Sequence, residues 1–198
     1  ELHEADYDSL IRYRIRKILM ICSNYDAFIL EEDGQIESQI YREYIELNLS
    51  NSPKFVWVTT SEEARAVMNS SNDIDLVISM FNMGDLEVFQ LASDLKEQGK
   101  NIPFVLLTHF SKEVYKRLSL QNTSGIDYMF SWHGNADLIL AIVKLLEDRI
   151  NADHDILEVG VQAILLVEDS VRYYSTYLPE LYKLILKQCA EFMKETLN

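Results

Sequence analysis

The chain has 198 residues, 18 basic against 32 acidic, for a formal net charge of -14. That field repels phosphate backbones and anionic membrane surfaces, which excludes ordinary nucleic-acid and acidic-lipid binding. At 48% hydrophobic residues the chain can bury a full core and is not a disordered tail.

The elements are predicted as follows. Residues 3–14 read as a lead-in helix. Short continuous apolar runs then alternate with helical patterns. The runs are Lys17-Ile-Leu-Met-Ile-Cys22, Phe55-Val-Trp-Val58, Asp75-Leu-Val-Ile-Ser79, Phe104-Val-Leu-Leu-Thr108 and Asp127-Tyr-Met-Phe130. Unbroken rather than alternating apolar strands imply burial on both faces, as in a parallel sheet covered by helices. Helical stripes fall between them. Ile36, Ile40, Tyr44 and Leu47 form the first, and Ser61-Glu-Glu opens the second with a capping pattern. Leu86, Phe89, Ala92 and Leu95 mark the third, and Ser111 to Leu120 the fourth. Asn135 caps a fifth that carries Leu138, Ile142, Leu145 and Leu146. Five β-α repeats predict a doubly wound α/β domain over residues 15–150 with a five-stranded parallel sheet.

Residues 151–161, opening with Asn151-Ala-Asp-His-Asp155, read as a polar linker. An extra β-α unit follows over 162–198: a sixth strand at Val161–Val167, then a long helix from Val171 to Leu197 that Pro179 should kink or restart. This unit repeats the first, Ile18-Leu-Met-Ile-Cys-Ser matching Ile164-Leu-Leu-Val-Glu-Asp. A chain that opens on Glu1 and ends after one such unit reads as a piece of a longer protein. A fully apolar strand without a sheet of its own is an association hazard, and it predicts a homodimer through 162–198.

The segment Ala163-Ile-Leu-Leu-Val-Glu-Asp-Ser170 resembles the opening of a response-regulator receiver domain, and residues 15–150 resemble the same CheY-like family. The resemblance implies the flavodoxin-like fold, with its site at the carboxyl ends of the strands. It also implies an acid pair for Mg²⁺ at the end of the first strand. The phospho-acceptor Asp would end the third strand, a Thr or Ser the fourth and a Lys the fifth.

In residues 15–150 most of that chemistry is missing. The acid pair falls on Cys22 and Ser23, the acceptor on Met80 and the Lys on Ser131, while Thr108 alone matches. A thioether cannot take a phosphoryl group, and a thiol with a hydroxyl does not replace two carboxylates. The resemblance therefore implies a pseudo-receiver. Of the nearby acids, Asp75 lies at the wrong end of its strand and Asp85 beyond the turn. Trp132-His133 replaces the usual Lys-Pro turn; with His109 it forms a possible contact rim, or else Trp132 and His133 fill the hole left by the missing site. The loop Asp26-Ala-Phe-Ile-Leu-Glu-Glu-Asp-Gly34 could gather a cation, but lacks EF-hand spacing and reads more plainly as a solvated acidic turn. No metal is expected in this first domain.

Residues 162–198 read as the truncated start of a second receiver. Glu168 and Asp169 would bind Mg²⁺ only if that receiver were complete, and no other cofactor is expected. The run from Asp26 to Gly34, with Ile126 to Trp132, Gly134 to Asp137 and Val159 to Tyr174, resembles the N-terminal region of large bacterial multidomain proteins. Further along, those resemble phosphoenolpyruvate synthase or pyruvate, phosphate dikinase. Such a resemblance implies a regulatory piece that is not itself an enzyme, working through a protein partner or later domains of its own chain. The alternatives are a small-molecule sensor using the degenerate pocket and an oligomerisation scaffold. Cys22 and Cys189 have no metal-ligand spacing and suit a reducing cytoplasm.

Overall fold

The computed structural model describes residues 12–23, 36–46, 49, 51–81, 86–109 and 111–196. The lead-in helix expected over 3–14, the acidic loop 26–34 and Asp85 therefore lie almost wholly or wholly outside the described residues. Two compact units are present, one of residues 16–37 and 53–135, the other of 1–15, 38–52 and 136–198.

The first unit holds a five-stranded, all-parallel sheet in the order β2-β1-β3-β4-β5. Its strands are β1 (Lys17–Ile21), β2 (Lys54–Val58), β3 (Leu76–Met80), β4 (Phe104–Thr108) and β5 (Tyr128–Ser131). The order reverses direction at β1, as a doubly wound sheet requires. Successive side chains alternate between faces, yet both Ile18 and Met20 and their neighbours Leu19 and Ile21 are buried. Both faces are thus withdrawn from water, which is why the strands read as unbroken apolar runs. On one face Leu19, Ile21, Val77, Phe104 and Leu106 join Ala64, Met68, Phe89, Leu91 and Leu95 in a single core.

That core includes residues of three further helices: α2 (Ser61–Ser70), α3 (Glu87–Glu97) and α4 (Lys112–Leu118), after α1 (Ile36–Glu46). The cap of α2 sits one residue earlier than expected. Thr60 accepts the N–H of Glu63 through its hydroxyl, and the Glu63 carboxylate reaches back to the N–H of Thr59 at 2.7 Å. The Thr59 N–H, and then its hydroxyl, hold the Glu63 carboxyl below the usual glutamate range. Ser111 caps α4 as anticipated, accepting from the N–H of Val114. The ion pair Arg65–Asp94 links α2 to α3.

Two strands start one residue later than expected, for one physical reason. Asp75 and Asp127 precede β3 and β5, and their carboxylates satisfy N–H groups where the neighbouring strand begins. Asp75 accepts from Arg16 at 2.8 Å and Lys17 at 3.0 Å. Asp127 accepts from Phe104 at 2.7 Å and also pairs with Lys96. Each acid supplies acceptors to a strand head that would otherwise hold unpaired donors.

The second unit holds most of α1, together with α5 (Ala136–His154) and α6 (Val171–Thr196). The expected linker at 151–155 is helical instead. Helix α5 runs to His154, continues as a π-turn over Asp155–Val159 and closes on Gly160 at φ 79°. Asn151 is buried rather than solvated. Its side-chain oxygen accepts the N–H of Tyr13, and its amide donates to the carbonyls of Tyr13 and Glu147. One turn earlier the Glu147 carboxylate accepts the N–H of Ile15 and the Nζ of Lys144, which lies 5.3 Å from the Tyr44 ring.

The sixth strand is not formed. Residues 160–170 have no strand or helix, and α6 follows without a restart at Pro179. Its side chains bond inward and back along the chain. Tyr182 donates to Asp148 at 2.6 Å, and Lys183 pairs with Asp137. Among the described residues, no helix is long and apolar enough to cross a membrane.

Candidate functional site

Parallel strands present their carboxyl ends along one edge of the sheet, the usual position for a site in an open α/β fold. Here that edge carries Cys22 just beyond β1, Met80 at the end of β3, Thr108 at the end of β4 and Ser131 at the end of β5. Cys22, Met80, Thr108 and Ser131 are all buried, and Ser23 is half-buried. Thr108 and Ser131 are direct register partners, and Met80 is paired with Leu107, the residue before Thr108. The ladder continues past the strand ends. Cys22 N–H donates to the Val58 carbonyl, Phe81 N–H to Leu107 and Trp132 N–H to Thr108. Five residues predicted from separate stretches of sequence are therefore brought to one edge of one sheet.

The edge offers hydroxyls, a thiol and a thioether. Among its positions there is no carboxylate at the ends of β1 or β3 and no ammonium at the end of β5. Among the described residues, no group of three or more His, Cys, Asp or Glu could hold a metal ion. Among the described residues, Thr108 Oγ1 is fully buried and has no hydrogen-bond partner. Next to it, Ser131 Oγ lies 2.9 Å from His133 Nε2. That pairing was not legible beforehand, because a two-residue spacing brings side chains to one side only when the backbone stays extended past the strand. Trp132 is buried, while His133 and His109 are exposed.

Asp75 contributes nothing to this edge. It sits at the opposite end of β3, with its carboxylate held by backbone donors. Glu168 and Asp169 belong to the other unit. There Glu168 bonds its own chain, accepting the N–H of Ser170 at 2.9 Å.

No family model matches the sequence, and no curated protein is significantly similar to it. Solved structures match in fold. The signal receiver domain of an HD domain-containing protein from Pseudomonas fluorescens superposes with a TM-score of 0.50 at 20% identity, covering 72% of this chain and 94% of its own. A Francisella response-regulator receiver domain gives 0.49 at 20% identity over 68% of this chain and 98% of that one. The Thermotoga maritima response regulator TrrA gives 0.48 at 22% identity, with coverages of 66% and 98%. With its five parallel strands in the order β2-β1-β3-β4-β5, the protein has the flavodoxin-like fold of receiver domains.

Proposed function

We propose that this protein is a non-catalytic, receiver-like regulatory module that has lost the phospho-acceptor and works through protein contacts. The observation that carries this reading is the set of residues at the strand ends. In a receiver fold the end of β3 is where an Asp would take the phosphoryl group, and Met80 stands there. Cys22 and Ser23 stand where an acid pair would bind Mg²⁺, and Ser131 where a Lys would contact phosphate. A thioether has no nucleophilic oxygen, and Mg²⁺ favours charged, hard oxygen donors and sheds its own water reluctantly for anything weaker. Thr108 alone keeps the expected chemistry. His109 and His133 form the exposed rim through which a protein partner is contacted. Residues 162–198 have the sequence pattern of the first β-α unit of a second receiver, although the strand of that unit is not formed here. The whole belongs to a cytoplasmic multidomain protein of the phosphoenolpyruvate synthase-like kind.

Mg²⁺ titration followed by amide NMR tests the loss directly. The amides of Cys22, Ser23, Met80 and Phe81 are expected to keep their positions at saturating Mg²⁺. A functioning site at a hundredfold excess over its Kd would add about 2.7 kcal/mol of stability. Saturable shifts confined to those amides would contradict the proposal, whereas shifts at Glu168 and Asp169 would not bear on it.

One observation favours a second reading, a small-molecule sensor. A buried hydroxyl without a partner is costly, and Thr108 Oγ1 sits at the edge that a ligand would use. Both readings share the absence of phosphoryl chemistry.

A further inference from the structure

Helix α4 has two unlike faces. Val114 and Leu118 are buried and join the core of the sheet unit. Tyr115, Lys116, Arg117, Ser119 and Leu120 are exposed. At 68% and 76%, Tyr115 and Leu120 are the most exposed large apolar side chains among the described residues of that unit. The backbone stays helical at Ser119, whose N–H donates to the Tyr115 carbonyl. Leu120 therefore follows Lys116 at the spacing that makes helix neighbours.

Charge sets this face apart from the rest of the chain. The net charge is -14, yet from residue 98 to residue 126 four cations, Lys100, Lys112, Lys116 and Arg117, meet one acid, Glu113. Elsewhere in the same unit cations are matched to acids: Lys17 pairs with Asp73, Arg65 with Asp94 and Lys96 with Asp127. Lys100 donates to the Met68 carbonyl at 2.6 Å. The excess of positive charge is thus concentrated on α4, where Glu113 can offset one cation of three.

We propose that the outer face of α4 docks an acidic segment of a protein partner, with the cations taking its carboxylates and Tyr115 and Leu120 taking an apolar side chain among them. The inference rests on the protein-contact reading above and names the partner's chemistry. The face continues the exposed rim, since His109 lies three residues before α4 begins at Lys112. Charge decides the class of partner. A positive island on an acidic protein attracts and orients a short acidic segment. A nucleic acid would carry its phosphates past the island into a repelling field. An aromatic ring and an apolar side chain beside an Arg match the side chains enriched where protein interfaces bury their centre.

The test uses the full chain, amide NMR and a short fluorescent probe peptide of glutamates flanking one Phe. Saturable shifts are expected at the amides of residues 114–120, with affinity falling as salt rises. Lys116→Glu is expected to weaken binding about tenfold or more. Lys54→Glu makes the same charge change at an exposed position of β2, and is expected to leave affinity within about twofold, because salt screens a distant charge. Tyr115→Ala with Leu120→Ala is expected to weaken binding with unchanged circular dichroism, both residues being exposed.

Equal weakening by the two lysine variants would mean a response to net charge alone and would overturn the proposal. A glutamine version of the peptide that binds as well, or no saturable shift at 114–120, would overturn it too. Shifts confined to His109 and His133 would overturn the α4 site and leave the protein-contact reading intact. Tighter binding of a single-stranded oligonucleotide to α4 would overturn the class of partner. The reading above fails separately, on a Mg²⁺ response at the strand ends.

Discussion

Gly125→Ala is expected to destabilise the fold by about 3 kcal/mol or more, as an overpacked site does. Thermal denaturation followed by circular dichroism should show a midpoint about 6–12 °C lower for a chain of this length. A Cβ at Gly125 would lie 2.4 Å from the Ala92 carbonyl carbon, 2.6 Å from the Ser93 nitrogen and 2.7 Å from the Ala92 oxygen. All three are backbone atoms in the middle of α3, so no rotamer change relieves the clash. Either the loop leading into β5 or the helix must move. That loop delivers Asp127, whose carboxylate holds Phe104 and Lys96, so the displacement reaches the heads of two strands. Gly99→Ala is the control. Gly99 has φ 70° with open space around its Cβ position, and the left-handed backbone alone costs about 1–2 kcal/mol. A Gly125→Ala protein that melts with the wild type would show that α3 and the loop are not packed as described.

Glu147→Ala is the second large effect, about 3–5 kcal/mol. Glu147 and Lys144 are both buried and pair at 2.8 Å. The same carboxylate takes the N–H of Ile15 at 3.0 Å. Removing it leaves a buried ammonium without its hydrogen-bonded carboxylate, facing the Tyr44 ring and the more distant charge of Asp148, and a backbone donor without its acceptor. The cost therefore comes from what is stranded more than from the pair itself. The double variant Lys144→Met, Glu147→Leu is expected to recover the part of the loss that comes from the stranded ammonium, because an apolar pair of similar volume replaces a buried ion pair at little cost, while the Ile15 N–H still lacks its acceptor and keeps about 1–3 kcal/mol of the loss. Chemical denaturation of the three proteins checks this. A single variant as stable as the wild type would contradict the buried network.

The sheet was legible in the sequence because its signal is local. Val105, Leu106 and Leu107 are apolar in succession since both faces of β4 are dry, and β4 has the predicted bounds. What was misread depends on partners far along the chain. Asp75 and Asp127 look like the first residues of strands, yet they serve the strands beside them. Asn151 reads as part of a solvated linker, but its role is a bond to Tyr13, 138 residues away. Val161–Val167 has every strand propensity and lacks only a neighbour, which no propensity supplies. Pro179 does not restart α6: a proline removes one intrahelical bond, and the helix runs through it from Val171 to Thr196.

At the candidate site, the positions of Cys22, Met80, Thr108 and Ser131 followed from strand ends and parallel order. The Ser131–His133 bond and the orphaned Thr108 hydroxyl did not, because both depend on how far the backbone stays extended beyond β4 and β5.

The central proposal is that a receiver fold persists here without phosphoryl chemistry. Incubation of the full chain with acetyl phosphate and Mg²⁺, followed by peptide mass spectrometry, tests it most directly. No phosphoryl adduct is expected on any residue from 15 to 150. An acid-stable, hydroxylamine-sensitive adduct on any aspartate in that range would contradict it.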